Sequence, residues 1–424
     1  MASSSTERPG MRISRDTLAL ILAGGSGTRL HDLTRWHAKP AVPFGGVYKT
    51  IDFALSNCIN SDLRRIFILT QYKSHSLNKH IHQGWNLFHP ELDEFIELLP
   101  AQQRTGDCWY QGTADAVRQN LDLVREQESQ RVLVLAGDHV YKMDYRHMLQ
   151  HHIDSGADLT IGCLPVPRLQ AREFGVIAVD DNGWVRRFDE KPADPPPWPG
   201  NPQQALASMG IYVFERDFLQ RVLDQCGRDA DPCDDFGRDI IPGLIGRARI
   251  AAWDFRDPAT GQPAYWRDVG TIDAYYDAHM DLLAVTPPLD LYDRHWPVWT
   301  YHEQLPPCKF VFDSDGRRGQ ALDSLVAAGC VISGGTVRRS CLGTNVRVNS
   351  FALVEDSVIL PNVDIGRGCQ LHRVVVDANC TIPPGTVIGL DPAGDTRRFH
   401  VSPHGVTLVS AEMLARRGLD ADVA

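Results

Sequence analysis

The sequence lacks several features that would assign it to a class at once. Its longest apolar run, residues 18–23, is far shorter than the roughly 18 residues that suggest a membrane span. It has no Cys-x-x-Cys pair, and it is not basic: 53 Asp and Glu residues exceed 43 Lys and Arg, for a formal net charge of −10. We therefore expect no membrane association. We also expect no general nucleic-acid binding, because a phosphate backbone recruits a basic face.

The ten cysteines show no spacing typical of a metal site or a paired motif. They are Cys58, Cys108, Cys163, Cys226, Cys233, Cys308, Cys330, Cys341, Cys369 and Cys380. This usage predicts reduced thiols. Residues 1–16 are polar and have no apolar segment, so they are not typical of a signal peptide. We expect a cytoplasmic protein.

The 424 residues, 43% of them hydrophobic, show two successive patterns. In the first, short apolar runs alternate with helix-like stretches, which predicts an α/β fold with a parallel sheet. The runs are residues 18–22, 66–69, 132–135 and 159–163. Residues 175–179 and 184–188 flank Asp-Asp-Asn-Gly, which favours a hairpin.

The second pattern begins after about residue 290 and has a period of six. Its apolar positions are Leu353, Ile359, Ile365 and Leu371 and, after a slip, Val376, Ile382 and Ile388. A six-residue period fits neither a helix nor a simple alternating strand. It indicates a parallel β-helix, in which each of three faces takes one hexad, and we expect this part to stack and assemble rather than catalyse.

A glycine-rich turn follows the first apolar run. Its unobstructed backbone N–H groups belong to Gly24, Gly25, Gly27 and Thr28. Together with Arg29 they would lie at the carboxyl end of a strand, where open α/β sheets bind phosphates. Lys39 supplies a second cation. The turn matches neither the P-loop nor the dinucleotide pattern, and a purely conformational use of the glycines stays open.

Two aspartates follow apolar segments at distant points of the chain. Asp138 ends the run 132–136, and Asp268 lies in Tyr-Trp-Arg-Asp-Val-Gly-Thr. Together they would hold Mg²⁺, a hard ion that prefers oxygen ligands and bridges substrate phosphates. Alone, each would be a turn residue or helix cap. Nothing in the sequence shows that they meet.

A third cluster of functional residues follows the predicted hairpin. In Phe-Asp-Glu-Lys-Pro, Lys191 would bind a phosphate monoester while Glu190 accepts hydrogen bonds from sugar hydroxyls. A solvated ion pair is the alternative. Residues 109–115 add aromatic surface at Trp109 and Tyr110, with a helix start after Gly112 whose N–H groups favour an anion.

The ordered set of motifs resembles the sugar-1-phosphate nucleotidyltransferases. The signature comprises Leu-Ala-Gly-Gly-Ser-Gly-Thr-Arg-Leu at 22–30 and Ala-Lys-Pro at 38–40. The blocks at 52–58, 100–104, 109–117, 207–212 and 265–271 resemble the ADP-glucose pyrophosphorylase (glucose-1-phosphate adenylyltransferase) family more narrowly. The match runs from about residue 17 to about residue 413.

The resemblance implies an enzyme that makes ADP-glucose and diphosphate from ATP and glucose 1-phosphate, for glycogen synthesis. The implied catalytic residues are Arg29, Lys39, Asp138 and Asp268, the two aspartates binding Mg²⁺. The implied glucose-1-phosphate residues are Tyr110, Gly175, Glu190, Lys191 and Ser208. The implied nucleotide residues are Gly24, Gly25, Gly27, Thr28, Gln71, Gln103 and Gly112.

The family fold is a Rossmann-like nucleotidyltransferase domain followed by a left-handed β-helix, and the family assembles as a homotetramer. On this basis we predict a polar tail over residues 1–15, a catalytic domain over 16–290, a linker over 291–310 and a β-helix domain for regulation and assembly over 311–424.

Departures from the family concern regulation by a small anionic metabolite. Well-known bacterial members carry Lys-Arg before Ala-Lys-Pro, and an arginine where this chain has Ala378. The predicted regulatory residues are Trp36, His37, Lys49, Arg397 and Arg398. Because cations that bind an anionic effector are missing, we expect the response to differ from the fructose-bisphosphate and AMP pattern.

Three alternatives stay open. A sister enzyme would use UTP, dTTP or GTP, or another sugar phosphate such as glucosamine 1-phosphate. A non-catalytic regulatory subunit would lose the cations at Arg29 and Lys39, and this chain keeps both. An acyltransferase assignment from the hexads is weaker, because a complete nucleotide site precedes them.

Overall fold

The first apolar run forms the central strand of a nine-stranded sheet in a computed structural model that describes residues 13–102, 109–226, 233–314 and 316–415. The strands of this first part are β1 (Thr17–Ala23), β2 (Pro43–Phe44), β3 (Tyr48–Lys49), β4 (Arg65–Thr70), β5 (Phe95–Pro100), β6 (Arg131–Ala136), β7 (His139–Tyr141), β8 (Leu159–Pro167), β9 (Gly175–Val179), β10 (Val185–Glu190), β11 (Gln204–Glu215), β12 (Ile250–Asp254) and β13 (Trp266–Asp268).

Helices cover both faces of the sheet. They are α1 (Thr50–Asn60), α2 (His75–Gly84), α3 (Thr113–Arg118), α4 (Leu121–Glu126), α5 (Tyr145–Ser155), α6 (Arg168–Ala171), α7 (Arg216–Cys226), α8 (Ile241–Leu244) and α9 (Ile272–Asp281). Short 3₁₀ turns span Thr28–Thr34, Lys39–Ala41 and Pro90–Leu92, and a π turn spans Phe236–Ile240. Leu18 and Leu20 of β1 pack into one core while Ala19 and Ile21 pack into another. A strand buried on both faces is apolar throughout rather than alternating.

The predicted parallel sheet is confirmed for four neighbouring strands, in the order β6-β1-β4-β5. The run at 159–163 differs, because it lies in β8, which pairs antiparallel with β11 and parallel with β12. The predicted hairpin is β9 and β10, paired antiparallel beside β11. The sheet is therefore mixed, with its parallel half carrying the glycine-rich turn.

The second part is a parallel β-helix with three sheets of parallel strands. Its strands are β14 (Lys309–Val311), β15 (Asp313–Ser314), β16 (Arg317–Arg318), β17 (Gln320–Leu322), β18 (Leu325–Val326), β19 (Val331–Ser333), β20 (Thr336–Arg338), β21 (Cys341–Leu342), β22 (Arg347–Val348), β23 (Leu353–Glu355), β24 (Val358–Ile359), β25 (Asp364–Ile365), β26 (Gln370–His372), β27 (Val374–Val376), β28 (Thr381–Ile382), β29 (Val387–Ile388), β30 (His400–Val401) and β31 (Thr407–Val409). One further helix, α10 (Pro392–Thr396), interrupts it. An antiparallel pair, β15-β16, and an antiparallel end strand, β30, are added to the three sheets.

The sixfold period is an approximation of the true repeat. Paired residues on successive coils, such as Val337 and Val354, or Val348 and Ile365, differ by 17 in number. The fully buried position is Val354, whereas its neighbour Leu353, which fits the period of six, is half-buried. The slip before Val376 is therefore a regular short side of each coil.

Asparagines at one corner of the coils form a ladder. Asn345, Asn362 and Asn379 adopt positive φ values of 58°, 62° and 62°. Each side-chain amide hydrogen-bonds to the next, with N–O distances of 3.0 and 3.1 Å. Asparagine tolerates the left-handed conformation that such a corner needs.

The segment between the two parts is tied to the first part. Trp299 N donates to Ser56 Oγ, and Trp296 Nε1 donates to Asn57 Oδ1, both on α1. Thr300 Oγ1 donates to the buried Asp52 carboxylate. The predicted linker therefore packs along α1 and is held there by hydrogen bonds.

The two parts share a hydrophobic cluster, which includes Phe44 and Tyr275 from the first part and Val358 and Leu408 from the β-helix. Among the described residues, no helix combines the length and the apolar character needed to cross a membrane.

His279, in the last turn of α9, should make the free energy of unfolding depend on pH. Its Nε2 accepts a hydrogen bond from Gly45 N and its Nδ1 donates to Tyr275 O, a pattern that requires the neutral ring. Burial lowers the pKa of His279 to about 4. Because an unfolded imidazole binds its proton near pH 6.5, the free energy of unfolding should fall by up to about 3 kcal/mol between pH 6.5 and 4.

Denaturant unfolding midpoints measured across that pH range test this expectation. The H279Q variant should lose this part of the pH dependence, whereas H75Q, at an exposed histidine on α2, should keep it. An unchanged pH slope in H279Q would show that the buried ring does not control it.

Candidate active site

A cavity of about 460 Å³ opens at the carboxyl ends of β1, β4 and β6. The predicted residues on its wall are Gly24, Gly25, Gln71, Tyr110, Gly112, Asp138, Gly175, Glu190 and Ser208. Neighbouring in sequence or in contact with them are Gly27, Thr28, Arg29, Lys39, Lys191 and Asp268. Gln103 lies outside the described residues. The parallel strands β1, β4 and β6 bring Gly24, Gly25, Gln71 and Asp138 to one edge of the sheet, and other segments bring the remaining predicted residues to the same cavity.

Asp138 and Asp268 meet on the ammonium group of Lys39. The Lys39 Nζ atom lies 2.5 Å from Asp138 Oδ2 and 3.0 Å from Asp268 Oδ1. Antiparallel pairing of β7 with β13 places Asp268 opposite His139, directly after Asp138, and this pairing brings the two carboxylates together. Two acidic groups and one cation thus form a single charged cluster beside the cavity.

Lys39 and Asp138 of the cluster are ionised at neutral pH. Burial alone would lower the pKa of Lys39, but the charges of Asp138 and Asp268 outweigh it and raise that pKa. Burial would likewise raise the pKa of Asp138, and the Lys39 ammonium reverses the shift and lowers it. The Lys39 ammonium and the Asp138 carboxylate stabilise each other's charged forms.

Gly27 is the position of the glycine-rich turn that only glycine suits. Its φ is 66°, and a Cβ there would lie 2.7 Å from Thr34 Cγ2 and 3.2 Å from Lys39 Cβ. Gly25, by contrast, has open space around it. The close approach at Gly27 packs the turn against the segment that carries Lys39.

Glu190 also lines the cavity, with Lys191 beside it. Glu190 Oε1 lies 3.5 Å from Lys191 Nζ, and burial raises the pKa of the Glu190 carboxyl. Two glycines make room for this carboxylate, because a Cβ at Gly175 or Gly237 would lie 3.1 or 2.8 Å from Glu190 Oε2. The acid therefore faces the cavity beside a half-exposed lysine.

An irregularity in β11 places Ser208 on the wall of the same cavity. The pairing with β8 slips between Ser208 and Ile211, where Gly210 has a φ of 65°. Gly210 N donates to Ser208 Oγ, and both residues line the cavity. Such bulges reorient side chains next to active sites.

Sequence reasoning missed several residues of the site. Asp235, Phe236, Gly237, Trp266, His139 and Glu173 line the cavity, and a Cβ at Gly270 would meet Lys39 Nζ at 3.0 Å and Arg29 Nη2 at 3.1 Å. The Asp-Asp-Phe-Gly run at 234–237 was the available signal. It joins the site because Ala114 N donates to Asp234 O, and a Cβ at Gly112 would lie only 2.4 Å from that oxygen.

Comparison with known proteins finds matches to both parts of the chain. The family model described as nucleotidyl transferase matches residues 18–285, and the one described as GlmU-like, C-terminal hexapeptide matches residues 306–409. A glucose-1-phosphate adenylyltransferase 2 from Alkalilimnicola ehrlichii is 57% identical over 98% of both chains. A glucose-1-phosphate adenylyltransferase from Paramagnetospirillum magneticum is 58% identical over 95% of both, and one from Methylococcus capsulatus is 56% identical over 96% of both.

The chain belongs to the glucose-1-phosphate adenylyltransferase family. The resemblance drawn from the motifs is therefore confirmed, as is the two-part fold of this family.

The predicted regulatory residues of this adenylyltransferase family member lie in two groups, one in each part of the chain. In the first group, His37 lies near Lys49 and Lys73. Burial lowers the pKa of the His37 imidazole, and the charges of the two lysines lower it further. Trp36 beside them is 71% exposed. Arg397 and Arg398 follow α10 in the β-helix, where Arg398 stacks on Phe399. Lys73 was missed by the sequence reasoning.

The prediction of reduced thiols in this family member is wrong for two cysteines. Cys226, at the end of α7, and Cys233 form a disulfide with their Cα atoms 5.5 Å apart. Their 7-residue separation belongs to no paired motif, so only the fold brings them together. The other described cysteines are free: Cys58, Cys163, Cys308, Cys330, Cys341, Cys369 and Cys380. Cys108 lies outside the described residues.

Proposed function

We propose that this chain transfers the adenylyl group of ATP to glucose 1-phosphate, giving ADP-glucose for α-1,4-glucan (glycogen) synthesis and releasing diphosphate. The observation that carries the proposal is the charged cluster of Lys39, Asp138 and Asp268 between a glycine-rich turn and a sugar-sized recess. The names of its relatives point to the same reaction.

The two ends of the cavity suit the two substrates. The Lys191 ammonium would bind the phosphate of glucose 1-phosphate, while Glu190 and Ser208 receive sugar hydroxyls. The turn at Gly24 and Gly25, with Gln71 and Gly112, would hold the nucleotide. The α-phosphate then lies between the two ends, next to the charged cluster.

The donor set fits a divalent cation. Asp138 and Asp268 each place a carboxylate oxygen within 3.0 Å of the Lys39 ammonium, so a cation held by both would bind beside Lys39. The described residues contain no group of three or more His, Cys, Asp or Glu side chains that would complete a site alone. Two protein carboxylates leave positions for water and phosphate oxygens, the arrangement Mg²⁺ favours. Bound there, Mg²⁺ would neutralise charge on the phosphates.

The residues of the chain lower the barrier by charge and position. The nucleophile is a phosphate oxygen of glucose 1-phosphate that is already ionised at neutral pH, so no catalytic base is needed. Its approach to the α-phosphate is opposed by repulsion between anions. Lys39, Arg29 and the backbone N–H groups of the turn offset that repulsion and hold the reacting groups in line.

A small anionic metabolite would bind the basic cluster of His37, Lys49 and Lys73 and change activity. Burial lowers the pKa of both His37 and Lys49, and an anion would reverse this shift by stabilising their charged forms. Lys73 Nζ donates to Thr34 O, in the 3₁₀ turn that begins at Thr28 and includes Arg29. An effector there would therefore act on a cation of the active site.

The β-helix would serve regulation and assembly, and the active unit would be a homotetramer. The division into a catalytic domain over 16–290 and a β-helix domain over 311–424 follows the change from a mixed sheet to stacked coils. Stacked coils present faces and end strands that favour contact between subunits.

Diphosphate release by the purified protein, with Mg²⁺, glucose 1-phosphate and either ATP, UTP, GTP or dTTP, tests the proposal. We expect rapid release with ATP alone and a product identified as ADP-glucose. A preference for another nucleotide would assign the chain to a sister activity. Release with none, with or without phosphorylated metabolites as activators, would favour a non-catalytic regulatory subunit.

A further inference from the structure

Arg29, the cation that would meet the polyphosphate of ATP, is already paired with a carboxylate of the chain. Its Nη1 lies 2.9 Å from Glu173 Oε2, and its Nη2 lies 4.0 Å from Asp268 Oδ2. Both partners of the Arg29–Glu173 pair reach solvent, with 48% and 63% of their side chains exposed. The pair is therefore an accessible one that can open at low cost.

Glu173 is held at the cavity by the backbone on which it sits. It lies between α6 and β9, where Glu173 N donates to Gln170 O, and its neighbour Phe174 packs edge-on against Trp266 with ring centres 5.1 Å apart. Glu173 lines the cavity, and its carboxylate contacts Arg29 beside the glycine-rich turn.

We propose that Glu173 is a positioning residue that competes with the phosphates of ATP, and with the departing diphosphate, for the guanidinium of Arg29. The inference rests on the proposed function. When a polyphosphate enters, Arg29 exchanges one oxyanion partner for another, because a guanidinium binds carboxylate and phosphate with similar geometry. When diphosphate leaves, Glu173 takes back the cation, so that release never requires an unpaired Arg29.

Because of this exchange, ATP and diphosphate should bind more weakly than they would if Arg29 had no carboxylate partner. Glu173 occupies Arg29 in the free protein and adds a negative charge near the incoming phosphates, and both effects oppose anion binding. Both are screened by salt, because the pair is exposed. Affinity for glucose 1-phosphate should be unaffected, because its phosphate is proposed to bind Lys191 and not Arg29.

The test is the E173Q variant of the full chain, which keeps the side-chain size and removes the charge. The Michaelis constant for ATP and the inhibition constant of diphosphate should each fall by about two- to tenfold at low salt, with the gain shrinking as salt is added. The Michaelis constant for glucose 1-phosphate should stay the same. D224N, which breaks the exposed Arg125–Asp224 pair, is the matched control and should behave as wild type.

A second pair of variants shows whether Glu173 acts through Arg29. Calorimetric titration of diphosphate should show a larger gain in affinity from E173Q when Arg29 is present than in the R29M background, where only the through-space repulsion is removed. Equal gains from E173Q with and without Arg29 would overturn the proposal in favour of simple charge repulsion. Unchanged or raised constants for ATP and diphosphate in E173Q, measured beside an active wild type, would also overturn it. A wild type that releases no diphosphate would instead refute the proposed function.

Discussion

Replacing Asp138 by asparagine is expected to lower kcat by about three orders of magnitude, while the Michaelis constant for glucose 1-phosphate changes little. The substitution keeps the shape of the side chain but removes a charge that faces Lys39 at 2.5 Å. It also removes one of the two carboxylates proposed to bind Mg²⁺. Stabilisation of charge at the α-phosphate should therefore suffer more than sugar binding.

Steady-state kinetics with Mg²⁺ varied over a wide range measure this effect. The D138N variant should need more Mg²⁺ for half-maximal rate, and D154N, on the exposed end of α5, should match wild type. Thermal unfolding of each variant separates lost chemistry from lost structure. A folded D138N enzyme with wild-type kcat would remove Asp138 from the proposed mechanism.

The second large effect is expected at Lys191. Changing it to alanine should raise the Michaelis constant for glucose 1-phosphate by two to three orders of magnitude, with kcat falling by less than about tenfold. The Lys191 side chain is 56% exposed beside Glu190, so it is free to bind a phosphate dianion. The nucleotide is proposed to bind Gly24, Gly25 and Gln71 instead, so the Michaelis constant for ATP should not change.

Rates measured with each substrate varied in turn distinguish this outcome from a general loss. K191R should recover part of the sugar-phosphate affinity, because it keeps the charge with a different geometry. The control is K309A, which makes the same Lys→Ala change at an exposed position on β14. Equal increases for both substrates in K191A would mean that Lys191 shapes the whole cavity instead of one end.

The sequence predicted those parts of the site that local patterns encode. The apolar run before Gly24 and the run before Asp138 became neighbouring parallel strands, and parallel strands place their carboxyl ends at one edge. Their loops had to meet for that reason. The placement of Glu190 at the end of β10 follows in the same way from the hairpin signal.

The remainder depends on contacts between distant segments. The approach of Asp268 to Asp138 requires the pairing of β7 with β13, and no spacing within either segment specifies that partner. Asp235 joins the cavity only because Gly112 leaves room for the Asp234 carbonyl oxygen. Cys226 and Cys233 were judged by spacing alone, which does not reveal a chain reversal.

A similar limit applies to the β-helix. An average period of six hides a coil of 17 residues with one shorter side, so the period falls on half-buried Leu353 instead of Val354 at one place and on buried residues at Ile359 and Ile365. Inward orientation is set by pairing with the next coil. Pattern alone fixes it only where the corner residues are also recognised.

A crystal structure of the protein with ADP-glucose bound would test the central claim most directly. The glucose ring should lie against Glu190 and Ser208, with its phosphate near Lys191. The adenosine end should lie beside Gly24, Gln71 and Gly112, and the linking phosphates should face Lys39. ADP-glucose bound in the reverse direction, or outside this cavity, would contradict the assignment of the two ends and the mechanism built on it.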